Sequence, residues 1–187
     1  KAGIGYGGSC FPKDTKALNF QSDHAGVKLK TVKATIDVNR EQRTRLIDKA
    51  RRFFPTFRDV RVAIIGLTFK PGTDDLREAP AKQNIDILLN EGADIIAWDP
   101  LGAENFRKRY PNCAINFAKD IDEALTDADV CLIMTEWEKI VEYPLDNYKK
   151  YMKRPLVFDG RNCYKLSEAE KHEIFYDSIG RKIVDTL

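Results

Sequence analysis

The sequence predicts an α/β chain in which one long helix of an incomplete first domain leads into a doubly wound parallel sheet. Three observations predict it. A glycine-rich segment opens the chain, a 3-4 apolar rhythm fills residues 28–54, and beyond Pro55 short apolar runs alternate with amphipathic stretches.

The elements follow in order. After residues 3–8, Pro12 and Asp14 are helix-start signals, and an amphipathic stretch runs to Gly26, a C-terminal stop. Leu29, Val32, Ile36, Leu46, Ala50 and Phe53 then keep helical spacing, interrupted by polar Asn39 and Arg43, until Pro55 ends the pattern. That predicts one helix of about seven turns over 28–54. Long helices of this kind pair readily, so a homodimer or larger homo-oligomer through it is expected, while burial of the helix within the rest of its own domain explains the spacing equally well. Strands are expected at 60–67, 93–98, 113–117, 130–135, 156–159 and, more weakly, 174–176. Helices are expected at 80–90, 102–110, 121–126 and 167–172, with Pro80 at a start and Gly92 past an end. Two parts result, 1–57 and 58–187, meeting near residues 55–59.

Composition narrows the function. Lys and Arg number 31 against 29 Asp and Glu, a formal charge of +2, and no dense basic block suggests a nucleic-acid partner. No apolar run approaches the roughly 18 residues of a membrane span. The four cysteines, Cys10, Cys113, Cys131 and Cys163, form no CxxC pair, which fits a reducing cytoplasm, and neither histidine has a second ligand at metal spacing. Lys1 is not a methionine, so the chain is expected to begin inside a longer protein.

Two segments carry chemistry. The first, residues 1–14, contains a Gly3-x-Gly5-x-x-Gly8 match to the dinucleotide fingerprint. That match is discounted, because the fingerprint needs a strand before it and a helix after it within a βαβ unit. Cys10 is the residue of interest. It stands at the start of a helix, where exposed N–H groups and the helix dipole favour a thiolate, with Lys13 and Asp14 beside it. A cysteine protease would need a histidine in a matching context, and His24 and His172 offer none. Cys113, Cys131 and Cys163, in or beside predicted strands, read as packing residues.

The second segment follows the first strand of the sheet as Thr68-Phe69-Lys70-Pro71-Gly72-Thr73-Asp74-Asp75-Leu76-Arg77-Glu78. Ligands of α/β sheets bind at the carboxyl ends of strands near a topological switch point, and Lys70 and Arg77 there can meet phosphate. Asp99-Pro100, Thr135-Glu136-Trp137 and Asp159-Gly160-Arg161-Asn162 close three other strands on the same rim, which together suggest a polyphosphate site.

Residues 1–14, the loop 69–78, the Thr-Glu-Trp turn and the Phe158-Asp159-Gly160-Arg161-Asn162 turn resemble the UDP-glucose/GDP-mannose dehydrogenase family, over nearly the whole chain. The Ser-Cys-Phe-Pro-Lys-Asp version is most similar to its UDP-glucose-oxidising members. The resemblance implies a Rossmann-like second part, NAD as cofactor and UDP-glucose as substrate, with GDP-mannose or a UDP-N-acetyl-aminosugar as the alternative, since several of these motifs are shared with relatives acting on those sugars. It implies Cys10 as nucleophile and Asp14 as the group that positions water. Lys1, Ala2, Gly3, Ile4, Gly5, Tyr6 and Gly7 would line the sugar end, with Phe69, Lys70 and Arg161 also on the substrate. Cys10, Phe11, Pro12 and Lys13 would border the nicotinamide, and Arg77 would reach the NAD pyrophosphate. The family's upstream lysine, asparagine and NAD fingerprint have no counterpart in these 187 residues, so the chain alone is expected to be inactive.

Overall fold

The computed structural model describes residues 2–186. Helix α1 (Phe11–His24) follows the glycine segment, then come α2 (Lys30–Gln42) and α3 (Arg45–Ala50). The sheet is built from β1 (Arg61–Ile65), β2 (Asp94–Trp98), β3 (Asn116–Phe117), β4 (Val130–Ile133), β5 (Leu156–Asp159) and β6 (Phe175–Ser178). Helices α4 (Pro80–Asn90), α5 (Gly102–Arg109), α6 (Ile121–Leu125), α7 (Glu138–Val141), α8 (Asp146–Tyr151) and α9 (Leu166–Lys171) connect them.

All strand pairings are parallel and the order is β3-β2-β1-β4-β5-β6, which is the doubly wound Rossmann order with its switch point between β1 and β4. Alternation along β1 shows why the strands read as continuous apolar runs. Val62 and Ile64 join one core with α3, α4 and Phe106, while Ala63 and Ile65 join another with α6, Tyr148 and Ala169, and all four strand residues are fully buried. A strand covered on both faces has no polar side.

The helix expected over 28–54 is corrected. It is two helices, because Thr44 leaves helical geometry (φ −99°, ψ 4°) and the Arg43 carbonyl accepts from Asn84 Nδ2 of α4 at 2.7 Å. The two halves serve different faces. Leu46, Ile47 and Ala50 of α3 are buried in the sheet's core, whereas Asn39 is the buried residue of α2. Lys49 Nζ meets the buried Asp177 carboxylate at 2.6 Å, tying α3 to β6. The strand expected at 113–117 shrinks to the two-residue edge strand β3, and α7 and α8 were not foreseen.

Candidate functional site

Residues 2–8 run across the carboxyl edge of the sheet, and backbone groups of Ala2, Gly3, Ile4, Gly5, Tyr6 and Gly8 are held from outside the segment. Ile4 N–H donates to the Gly160 carbonyl at 3.0 Å, and its side chain is fully buried in the core. Asn162 Nδ2 donates to Ala2 O at 3.3 Å, Gln42 Nε2 to Gly3 O at 3.1 Å, and Arg161 Nη1 to Gly5 O at 3.1 Å. Asn39 clamps Tyr6 from both sides, accepting from its N–H at 2.7 Å and donating to its carbonyl at 3.2 Å. Gly8 N–H donates to Arg77 O at 2.8 Å. Glycine is required where the segment crosses the β1 loop, since a Cβ on Gly7 would lie 2.4 Å from Glu78 O and 2.9 Å from Phe69 Cβ.

This held segment delivers Cys10 to the N-cap of α1, with buried Pro12 in the first turn and Asp14 N–H donating to Cys10 O at 2.8 Å. Cys10 is exposed, and its Sγ lies 3.8 Å from Ser9 Oγ. Lys13 and Asp14 are exposed and pair at 3.4 Å. The other cysteines differ in kind. Burial pushes the Cys113, Cys131 and Cys163 thiols up, so they stay protonated and pack.

The β1 loop returns on itself through Phe69 N–H to Asp75 O at 3.2 Å. Arg77 braces it, with Nη2 donating to Asp75 Oδ2 at 2.8 Å, and this contact holds the Asp75 carboxyl below its ordinary range. Lys70 is exposed and leans over the Phe69 ring at 5.4 Å. Between loop and glycine segment opens a cleft of about 400 Å³ lined by Gly3, Gly5, Tyr6, Gly7, Phe11, Phe69 and Arg161. Arg161 forms its floor. Only 12% of the side chain is exposed, burial lowers the pKa of the guanidinium, and Glu136 lies 3.4 Å from Nε.

The structure thus gathers Gly3, Gly5, Tyr6, Gly7, Phe11, Phe69 and Arg161 around one cleft. Ile4 lies beneath it as a core residue, and Ala2, Cys10, Pro12, Lys13, Asp14, Lys70 and Arg77 lie outside its lining. Lys1 falls outside the described residues.

The expected polyphosphate rim needs correcting at its carboxylates. Asp99 Oδ2 accepts from Leu67 N–H at 2.7 Å, Thr68 N–H and Oγ1 each at 3.2 Å, and Trp137 Nε1 at 3.1 Å, while Oδ1 accepts from Leu101 and Gly102 N–H. Asp159 likewise takes Arg161 N–H, Cys163 N–H and the Tyr176 hydroxyl. Both are buried staples that shape the rim from below. Sequence reasoning missed Asn39, Gln42 and Arg43 as holders of the glycine segment. The signal was present as polar residues at i and i+4, Asn39 and Arg43, within an otherwise apolar stripe.

Comparison with known proteins decides the family. Residues 63–166 match the UDP-binding domain of the UDP-glucose/GDP-mannose dehydrogenase family, and residues 1–41 match its central domain. The chain belongs to this family. A UDP-glucose 6-dehydrogenase of Bacillus subtilis, YwqF, is 42% identical over 184 residues, covering 98% of this chain and 42% of that protein. The enzyme of the same name from Rhizobium meliloti is 40% identical over 181 residues, covering 96% of this chain and 41% of that protein. Among solved structures, the UDP-glucose dehydrogenase of Pyrobaculum islandicum superposes with a TM-score of 0.80 at 28% identity, over 94% of this chain and 38% of that one. GDP-mannose dehydrogenase of Pseudomonas aeruginosa gives 0.71 at 27% identity, over 86% of this chain and 37% of that one. This family member therefore spans about two fifths of the length of these relatives.

Proposed function

We propose that this chain is the cysteine-bearing and UDP-sugar-binding portion of a cytoplasmic, NAD-dependent UDP-glucose 6-dehydrogenase. Residues 1–57 would belong to its central domain and 58–187 to its UDP-binding domain. The observation that carries the reading is the single cleft lined by the glycine segment, Phe69 and Arg161, with the Cys10 segment at its border. YwqF and the Rhizobium protein, named for oxidation of UDP-glucose, support the choice of sugar nucleotide.

In this reading the sugar C6 alcohol becomes a carboxylate, losing two hydrides and gaining one water oxygen. NAD, when bound, supplies the hydride acceptor for each oxidation. The residues present suit such a partner, since the Phe11 ring beside Cys10 is 71% exposed and offers a flat face, and Arg77 presents a half-exposed guanidinium. Lys13 and Pro12 would border the same region. Cys10 does the covalent work. Its thiolate adds to C6 of the aldehyde left by the first oxidation, forming a C–S bond and a thiohemiacetal. Loss of the second hydride leaves a thioester, and water, positioned by Asp14, cleaves the C–S bond to return the thiol and free the carboxylate. Holding the aldehyde covalently prevents its escape between steps. Ala2 to Gly7 and Lys70 would embrace the sugar and phosphates, and the sequence resemblance adds Lys1 to that set.

Exposed apolar side chains Phe20, Val27 and Val38 on or beside α1 and α2 support a homo-oligomer formed through this region. The deciding experiment supplies the protein containing this chain with UDP-glucose and NAD. Two NADH per UDP-glucuronate are expected, and turnover of GDP-mannose in preference to UDP-glucose would reject the substrate.

A further inference from the structure

Glu78 ends the β1 loop with φ +55°, a left-handed conformation in which glycine or asparagine is the comfortable residue. Such strain in a non-glycine residue persists only where the surroundings over-determine it. Here they do. The turn brings Glu78 O close above Gly7, where a Cβ would meet it at 2.4 Å, and sets Arg77 O to accept from Gly8 N–H at 2.8 Å. The carboxylate is shared between two helical elements. Lys16 Nζ of α1 donates to Oε1 at 3.2 Å, and Arg43 Nη1, just past α2, donates to Oε2 at 2.7 Å. Arg43 also reaches Tyr6 O at 3.4 Å. The Arg43 contact, helped by Lys16 and opposed by partial burial, holds the Glu78 carboxyl below its ordinary range.

Helix α1 needs such a tether. Its buried residues are Pro12 and Ser22, and a cavity of about 310 Å³ lies beside it, bordered by Tyr6, Pro12, Lys16, Arg43 and Glu78. Apolar packing among the described residues therefore does little to fix where Cys10 stands. A glycine at position 78 would serve the turn without strain but would carry no carboxylate.

We propose that Glu78 is a positioning residue that locks the Cys10 segment to the β1 loop, so that filling the cleft is felt at the thiol. The inference rests on the substrate reading above and adds a residue to it. Iodoacetamide alkylation of Cys10, followed by peptide mass with and without UDP-glucose, measures that coupling in the full chain. In the parent protein UDP-glucose should slow alkylation about tenfold, a usual size for coupling between sites. Glu78→Gln and Glu78→Gly should each lose most of that protection while calorimetry shows UDP-glucose affinity within about threefold of the parent, less than half a decade of binding energy. The glycine variant relieves the left-handed strain while it removes the Arg43 and Lys16 contacts, so a single cooperative thermal transition separates lost coupling from lost fold. Full protection in either variant overturns the proposal, as does loss of affinity in step with protection. Absence of both binding and protection in the parent protein overturns the substrate reading itself, and does so before any substitution is made.

Discussion

Arg161 Nη1 donates to the Gly5 carbonyl at 3.1 Å across 156 positions of sequence, and the same guanidinium reaches Met134 O at 2.9 Å and Phe69 O at 3.4 Å. One planar fork thus joins the glycine segment, the end of β4 and the β1 loop. Arg161→Ala should weaken UDP-glucose binding by about 1 to 3 kcal/mol, the scale for losing charge-assisted hydrogen bonds. It should also lower the unfolding temperature, because three buried-edge carbonyls lose a donor. Arg161→Lys should restore little, since an ammonium cannot span the three acceptors. Lys70→Ala should weaken binding over the same range, about 1 to 3 kcal/mol, with little change in melting, because Lys70 is exposed and lies over the Phe69 ring. Unchanged calorimetric affinity in both alanine variants would remove the cleft from substrate binding.

Replacing Cys10, the proposed nucleophile, should separate it from the other three cysteines. Cys10→Ser in the protein containing this chain should abolish release of UDP-glucuronate, as judged by mass spectrometry, because a serine hydroxyl ionises far less readily and forms no thioester. Cys163→Ala should leave turnover within a few-fold, since burial keeps that thiol protonated. Near-normal product from the serine variant would take Cys10 out of the chemistry.

The acid limb of stability should report on Glu91. Hydrogen bonding from Arg51 is the largest cause holding this carboxyl below its ordinary value of 4.5, with Phe57 N–H donating at 3.2 Å as well. A depressed folded-state value means the contribution is complete above pH 4.5 and fades as the pH falls through the lower folded value. Both partners are partly exposed, so the contribution is about 1 kcal/mol at most and shrinks with added salt. Glu91→Gln should therefore unfold at lower urea than the parent at pH 7, and the two curves should converge on acidification. A gap that persists unchanged at low pH would assign Glu91 a packing role only.

Asp99 makes a stability test of the rim. Six donors converge on its two oxygens. Asp99→Ala should cost at least about 3 kcal/mol in urea unfolding, since several buried donors lose their acceptor at about 1 to 3 kcal/mol each. Full stability in that variant would show that the donors find water.

What the sequence disclosed follows from which physical signals are local. β5 and α4 fall where apolar runs, Pro80 and Gly92 put them, because a doubly covered strand and a capped helix each write their limits into neighbouring residues. The places of Cys10 at a helix start and of the loop between β1 and α4 were legible for the same reason. The break at Thr44 was not, since it depends on Asn84 capturing the Arg43 carbonyl from a helix 41 positions away. Nor was the fate of Asp99 and Asp159, which read as part of a polyphosphate-binding rim until the fold brings backbone donors over them. α7 and α8, at four and six residues, are too short for periodicity to register.

The chain of residues 1–187 should distinguish between the two ligands by itself. The sheet has apolar cores on both faces, and α3 closes one of them, so this chain should fold without further segments. Its cleft is assembled wholly from its own elements, with Phe69, Arg161 and the glycine segment all in place. The residues assigned to NAD are a thinner set. Arg77 and Lys13 are exposed and already paired with Asp75 and Asp14. Titration by calorimetry should therefore show binding of UDP or UDP-glucose and little or no heat from NAD. Tight NAD binding with no response to UDP would overturn both the ligand assignment and the division of labour between the two parts. Silence towards both ligands would mean that the cleft closes only when further structure covers its mouth, and the affinity for UDP should then return in a longer polypeptide.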